Sequence, residues 1–160
     1  MASPTSPYGR AFLDSGVLIA AAAGETGREV ALDVLQLAQS GEVELFVSAV
    51  ALVECRRGSR GNERVTEPPP DVQAKLEAIL ANPRIVLVEI DRLVALSARQ
   101  LGLREHLRTW DAIHLAAALS VKADVMFTYD SSDYKTPRII DGVWCGEPYV
   151  TSPTLLSVRQ

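Results

Sequence analysis

The sequence predicts an α/β fold in one domain, with helices packed on a mainly parallel sheet. Three observations lead there. Apolar residues make up 48% of a chain of 160, enough to bury one core at single-domain size. Aromatics are only 6% while Ala, Leu and Val abound, which favours helices on a sheet over a sandwich rich in aromatic pairs. Short apolar runs alternate with longer segments of helical spacing, the pattern of βαβ crossovers onto a parallel sheet.

Taken in order, Met1 to Gly9 is rich in Ser and Pro and is expected to be a flexible tail. Arg10-Ala-Phe-Leu-Asp14 reads as a short buried strand ending in an acid, and Ser15 as the cap of the next helix. From Val17 to Ser40 the spacing is helical, broken at Gly24 and Gly27 and closed by Gly41 as a C-cap residue. Val43 to Val47 is a second strand. Ser48 is expected to cap a helix that carries Val50, Leu52, Val53 and Glu54 and runs into Arg56-Arg57-Gly58. Gly58 to Pro70 is polar, ends in three prolines and predicts a loop or insertion. Asp71 to Leu80 is helical again, Asn82-Pro83 stops it, and Arg84 to Val88 is a third strand. Leu93 to Leu103 and Trp110 to Val121 are two more helices, the second so rich in Ala and Leu that it must be deeply buried. Asp124 to Asp130 is a fourth strand, also ending in an acid. A last strand is expected near Gly142 to Trp144, beyond the turn-rich Ser131 to Pro137. The domain therefore spans residues 10–150, followed by a tail over 151–160.

The longest apolar stretch near the N-terminus, Leu13 to Ala23, is interrupted by Asp14 and Gly16 and is too short to span a bilayer. It also lacks the flanks of a signal peptide, so no membrane association is expected. Cys55 and Cys145 have no metal-binding spacing. They read as buried, reduced thiols of a cytoplasmic protein. A net charge of −4 argues against broad attraction to nucleic acid, so an RNA substrate would require local features that overcome the global sign.

The acids carry the chemistry. In open α/β sheets ligands bind beyond the carboxyl ends of the strands, where Asp14 and Asp130 fall. Asp111 lies in the first turn of a helix after Thr109. Glu54 lies about 9 Å along a helix that begins at a strand end, at roughly 1.5 Å per residue. Four acids on one edge would repel one another unless a hard divalent cation joined them. Such an ion suits phosphodiester hydrolysis, because it activates water and neutralises charge on the phosphate. Each acid also has an ordinary reading: Asp111 as a complement to the helix dipole, Asp130 as turn chemistry, Glu54 as a solvated helix residue. Asp14 is the least ordinary, since an ionised carboxylate between Phe12-Leu13 and Val17-Leu18-Ile19 is costly without a partner.

Four segments resemble the acidic motifs of PIN domains, in order. They are Leu13-Asp14-Ser15-Gly16-Val17-Leu18-Ile19, Ser48-Ala-Val-Ala-Leu-Val-Glu54, Thr109-Trp-Asp111-Ala-Ile-His-Leu-Ala-Ala-Ala118 and Phe127-Thr-Tyr-Asp130. The set is most similar to the VapC-like toxin ribonucleases of type II toxin–antitoxin systems. That resemblance implies a three-layer α/β/α sandwich. It also implies a Mg²⁺-dependent endoribonuclease, with Mn²⁺ as a substitute, that leaves a 3′-hydroxyl and a 5′-phosphate. Asp14, Glu54, Asp111 and Asp130 would be the catalytic, metal-binding acids, with Asp133 a weaker addition. The implied partners are an RNA substrate, a small VapB-like antitoxin that covers the acidic cleft, and a second copy of the chain in a homodimer.

Other residues carry less. His114, three residues after Asp111, reads as core packing or a hydrogen bond to a nearby acid rather than a metal ligand, and His106 has less to recommend it. Arg56, Arg57, Arg60 and Arg64 are either a phosphate-facing run or a solvated one. Thr128 and Ser15 are candidate donors to the acids. A haloacid-dehalogenase-like phosphatase would need an Asp where Gly16 stands, and a dinucleotide module would need more glycines than Asp14-Ser15-Gly16 offers. The remaining rival is a catalytically silent PIN-like module that binds protein or RNA.

Overall fold

Strand and helix alternate along the computed structural model, which describes residues 6–55 and 69–151. The order is β1 (Arg10–Leu13), α1 (Ser15–Ala23), α2 (Val30–Ser40), β2 (Glu44–Ser48), α3 (Ala51–Glu54), α4 (Pro70–Leu80), β3 (Ile85–Val88), α5 (Arg92–Glu105), α6 (Thr109–Ser120), β4 (Val125–Phe127), α7 (Ser131–Tyr134), β5 (Arg138–Ile140) and β6 (Val143–Gly146). The six strands form one sheet in the order β3-β2-β1-β4-β6-β5. Every pairing is parallel except β5 with β6.

The period-two alternation of side chains divides the core between the two faces of the sheet. Ala11, Leu13, Leu45, Val47, Val125 and Phe127 join the apolar sides of α1, α2 and α4. Phe12, Phe46, Met126 and Cys145 point the other way, onto α5 and α6. Helices thus cover both faces, the three-layer α/β/α arrangement the motifs imply. Small residues let α5 and α6 approach closely: a Cβ on Gly102 would lie 3.5 Å from that of Ala112. Among the described residues no helix is long and apolar enough to cross a membrane.

Several boundaries differ from expectation for physical reasons. Ser48 stays in β2, and its hydroxyl accepts the backbone N–H of Val50 at 3.0 Å, so the following helix starts only at Ala51 and has four residues. Pro70 opens α4 rather than ending a loop, at a position where its missing N–H costs nothing. Gly58 to Pro68 and the Arg56, Arg57, Arg60 and Arg64 run lie outside the described residues, as do 1–5 and 152–160. The region after Asp130 holds α7 and the antiparallel β5, elements of four and three residues that are too short to show a period.

Tyr8, which lies within the stretch expected to be a tail, is anchored in the core. Tyr8 is buried, and its hydroxyl donates to the carbonyl of Tyr149 at 2.8 Å. Tyr8, Phe127, Trp144 and Tyr149 meet edge to face, with centroids 5.3–6.2 Å apart. Gly146 is part of this packing, because the Trp144 indole lies where a Cβ on Gly146 would stand. Gly146→Ala should therefore push the indole out of the cluster and lower stability by about 1–3 kcal/mol. A urea melt followed by Trp fluorescence would show it, and an unchanged midpoint would contradict the packing.

Candidate metal centre

The chain runs from β1 outward through β2 to β3, then returns to place β4 on the other side of β1. Neighbouring strand ends diverge at such a switch point and leave a crevice. Asp14 follows β1 directly. Its backbone N–H donates to the Phe127 carbonyl at 3.0 Å, which carries the β1–β4 pairing one residue further and fixes the buried carboxylate on the crevice floor. Burial of this acid requires partners. The Thr128 hydroxyl donates to Asp14 Oδ2 at 2.8 Å and accepts the backbone N–H of Asp130 at 3.0 Å. One fully buried hydroxyl thus ties together the acids that follow β1 and β4.

Glu54 arrives from α3. Its Oε2 accepts the Ser15 hydroxyl at 2.7 Å and lies 2.6 Å from His114 Nε2. Ser15 therefore does not cap α1, as its position suggested: Asp14 holds the cap position, and its side chain makes no capping hydrogen bond. Tertiary pairing with Glu54 takes the hydroxyl instead. His114 comes from α6 and is almost fully buried, with Nε2 also 3.7 Å from Asp14 Oδ1. Its Nδ1 is buried without a hydrogen-bond partner. Burial pushes the imidazole down, but the hydrogen bond with the Glu54 carboxylate and the charges of Asp14, Glu54 and Asp111 outweigh it and hold it above its ordinary value. Of the two readings the sequence favours over a metal ligand, core packing or a hydrogen bond to a neighbouring acid, both are present: the ring is buried and bonded to Glu54.

The remaining acids gather beside this group. Asp111 sits in the first turn of α6, and its carbonyl accepts the hydroxyl of the fully buried Tyr134 at 3.0 Å, which locks α7 against α6. Asp130 caps α7: its Oδ1 accepts the backbone N–H of Asp133 at 3.1 Å and the Ser132 hydroxyl at 3.0 Å. Its Oδ2 is left to face Arg108 Nη2 at 3.0 Å. The same guanidinium reaches Asp111 Oδ2 through Nε at 3.1 Å and also pairs with Asp133. Sequence reasoning missed Arg108. Its signal was an Arg three residues before an acid, within reach across one helical turn.

All five candidate acids are therefore at one edge, but in two groups. Asp14, Glu54 and His114 offer ligand atoms within 4.8 Å of one another, and so do Asp111, Asp130 and Asp133. The second set is all oxygen, the donor chemistry that Mg²⁺ and Mn²⁺ take. The first adds one imidazole nitrogen, and its orphaned Nδ1 shows a ring whose other nitrogen is committed to the acids. The donor sets fit a divalent cation. Cys55 is no part of the chemistry: burial, then Glu54 and Asp14, push its thiol up to about 12, far from a thiolate.

A family model described as the PIN domain matches residues 11–138. Among solved structures, a toxin–antitoxin complex from Klebsiella pneumoniae superposes with a TM-score of 0.60 at 21% identity, covering 87% of this chain and 98% of that one. VapBC2 from Rickettsia felis, bound to a DNA fragment from its promoter, gives 0.59 at 16% identity, covering 84% and 98%. Mycobacterium tuberculosis VapC20, described as a sarcin–ricin loop cleaving toxin, gives 0.56 at 17% identity, covering 78% and 92%. No curated protein sequence matches.

The Thr128 hydroxyl is the cheapest link to break. Thr128→Val keeps the shape but removes the hydroxyl bond to Asp14 Oδ2 and the acceptor of the Asp130 N–H. It should cost about 1–3 kcal/mol in EDTA, read by urea denaturation, with Thr128→Ser close to the native protein. Equal stability of all three would contradict the bridging role.

Proposed function

This chain belongs to the PIN-domain family, and on that premise we propose that it is a Mg²⁺- or Mn²⁺-dependent endoribonuclease, the toxin of a VapBC-type toxin–antitoxin pair. One observation carries the reading: Asp14, Glu54, Asp111 and Asp130, with Asp133, converge in two donor groups at the carboxyl ends of the central strands. Asp14, Glu54, Asp111 and Asp130 would hold the metal, and Asp133 would complete the outer group. The bound ion would supply an activated water and neutralise the charge that builds on the scissile phosphate.

The protein's own part is to place these groups. Thr128 and Ser15 hold Asp14 and Glu54 so that their oxygens face one another before any ion enters, which spares reorganisation later. His114 sets Nε2 between the two acids, 2.6 Å from Glu54 Oε2 and 3.7 Å from Asp14 Oδ1, and so fixes their separation. The acid-lined cleft repels the phosphate backbone when no cation is bound, so RNA binding and metal loading are coupled.

The domain would span residues 10–150. The structural neighbours include toxin–antitoxin complexes, which supports an antitoxin partner; that this partner is small, VapB-like and covers the cleft, that the chain forms a homodimer and that it is cytoplasmic belong to the same proposal. A silent module that binds only protein or RNA is the alternative.

The test is a mixed RNA pool incubated with the protein in EDTA, Mg²⁺ or Mn²⁺, with the cut ends mapped. Cutting should require metal and leave 5′-phosphates, and Asp14→Asn or Asp111→Asn should each reduce it by roughly 100-fold or more. Absence of metal-dependent cutting by the native protein would give the silent module the better claim.

A further inference from the structure

Arg108 stands in a place of its own. Its side chain is 64% exposed, whereas the carboxylates it holds are 4% (Asp111), 8% (Asp130) and 24% (Asp133) exposed. Among the described residues, every ion pair and hydrogen bond of its guanidinium goes to those three acids. The arm leaves the chain at the extended residue just before α6 and reaches over the group from the solvent side. The acids themselves are fixed by the protein: Asp111 by α6 and the Tyr134 hydroxyl, Asp130 by its cap on α7. An exposed cation thus lies across the mouth of a largely buried anion group.

We propose that Arg108 is a built-in cation that occupies the outer acid group and must be displaced when a divalent ion enters, so that it sets the metal affinity of that group. This rests on the reading of the acids as metal-binding. The guanidinium and a divalent ion are two cations competing for the same carboxylates, Asp130 and Asp111, and each weakens the hold of the other. Displacement is cheap on the arginine's side, because its stem is already solvated. Once displaced, the fork of N–H donors remains at the rim of the cleft, where its geometry suits a phosphate oxygen pair.

Mn²⁺ binding to the full chain, measured by calorimetry without RNA, tests this directly. Arg108→Ala should bind Mn²⁺ on the order of tenfold more tightly, since three partly exposed ion pairs, each modest alone, no longer compete. Arg108→Lys keeps the charge and should fall between the two. Arg104→Ala removes an equal charge from a residue paired instead with Glu105 and Asp141, and should leave the affinity unchanged. If the native protein binds Mn²⁺ and Arg108→Ala binds it no more tightly, the competition is overturned while the metal site stands. If Arg104→Ala tightens binding as much as Arg108→Ala, net charge is the cause and the competition is again overturned. Binding by none of the proteins would overturn both the competition and the metal site.

Discussion

Carboxylates that are forced together repel, and the architecture of this protein is organised around that constraint. Five acids meet at the carboxyl ends of the central strands, and the described contacts around them share one purpose, which is to hold negative charge where it would not collect by itself. His114 lies between Asp14 and Glu54, and Arg108 spans Asp111, Asp130 and Asp133. Among the described residues, the hydroxyls of Ser15, Thr128 and Ser132 and the backbone N–H of Asp133 add further donors. A site already bridged by a guanidinium is one prepared for a stronger cation.

The fold supplies the rigidity this needs. The pairing of β1 with β4 puts Asp14 and Thr128 side by side, and the Ala-rich α6 can sit close on the sheet because its buried face has little bulk. That close approach brings His114 and Asp111 into the crevice from the opposite layer. The buried Tyr134 then joins α7 to α6, so that two short elements with little stability of their own hold Asp130 and Asp133 in register. Packing and charge placement are the same problem here: loosening either would separate the acids.

Much of this was legible in the sequence, for identifiable reasons. Asp14 follows Phe12-Leu13 and precedes Val17-Leu18-Ile19, a setting in which a charge needs an explanation, and the motifs around Glu54, Asp111 and Asp130 lie in order. The long elements declared themselves through periodicity and through Gly41 and Asn82-Pro83. Local rules failed where tertiary contacts overrode them. Ser15 looks like a cap but is the first residue of α1, after Asp14 at the cap position, and its hydroxyl donates to the half-buried Glu54. Arg108 was hidden among Arg104, Glu105 and His106 on a polar stretch, and only the docking of α7 against α6 gives it three partners. The division of the acids into two groups likewise depends on three dimensions, since spacing along the chain does not say which strand end meets which.

The central claim, that this edge exists to hold a divalent cation, is tested most directly by crystals grown with Mn²⁺ and measured at a wavelength where manganese scatters anomalously. The account predicts an anomalous peak among the carboxylate oxygens of Asp14, Glu54, Asp111 and Asp130, with the Arg108 guanidinium moved off Asp130. A featureless anomalous map in that cleft, with Arg108 still forked onto the three acids and His114 still on Glu54, would contradict it.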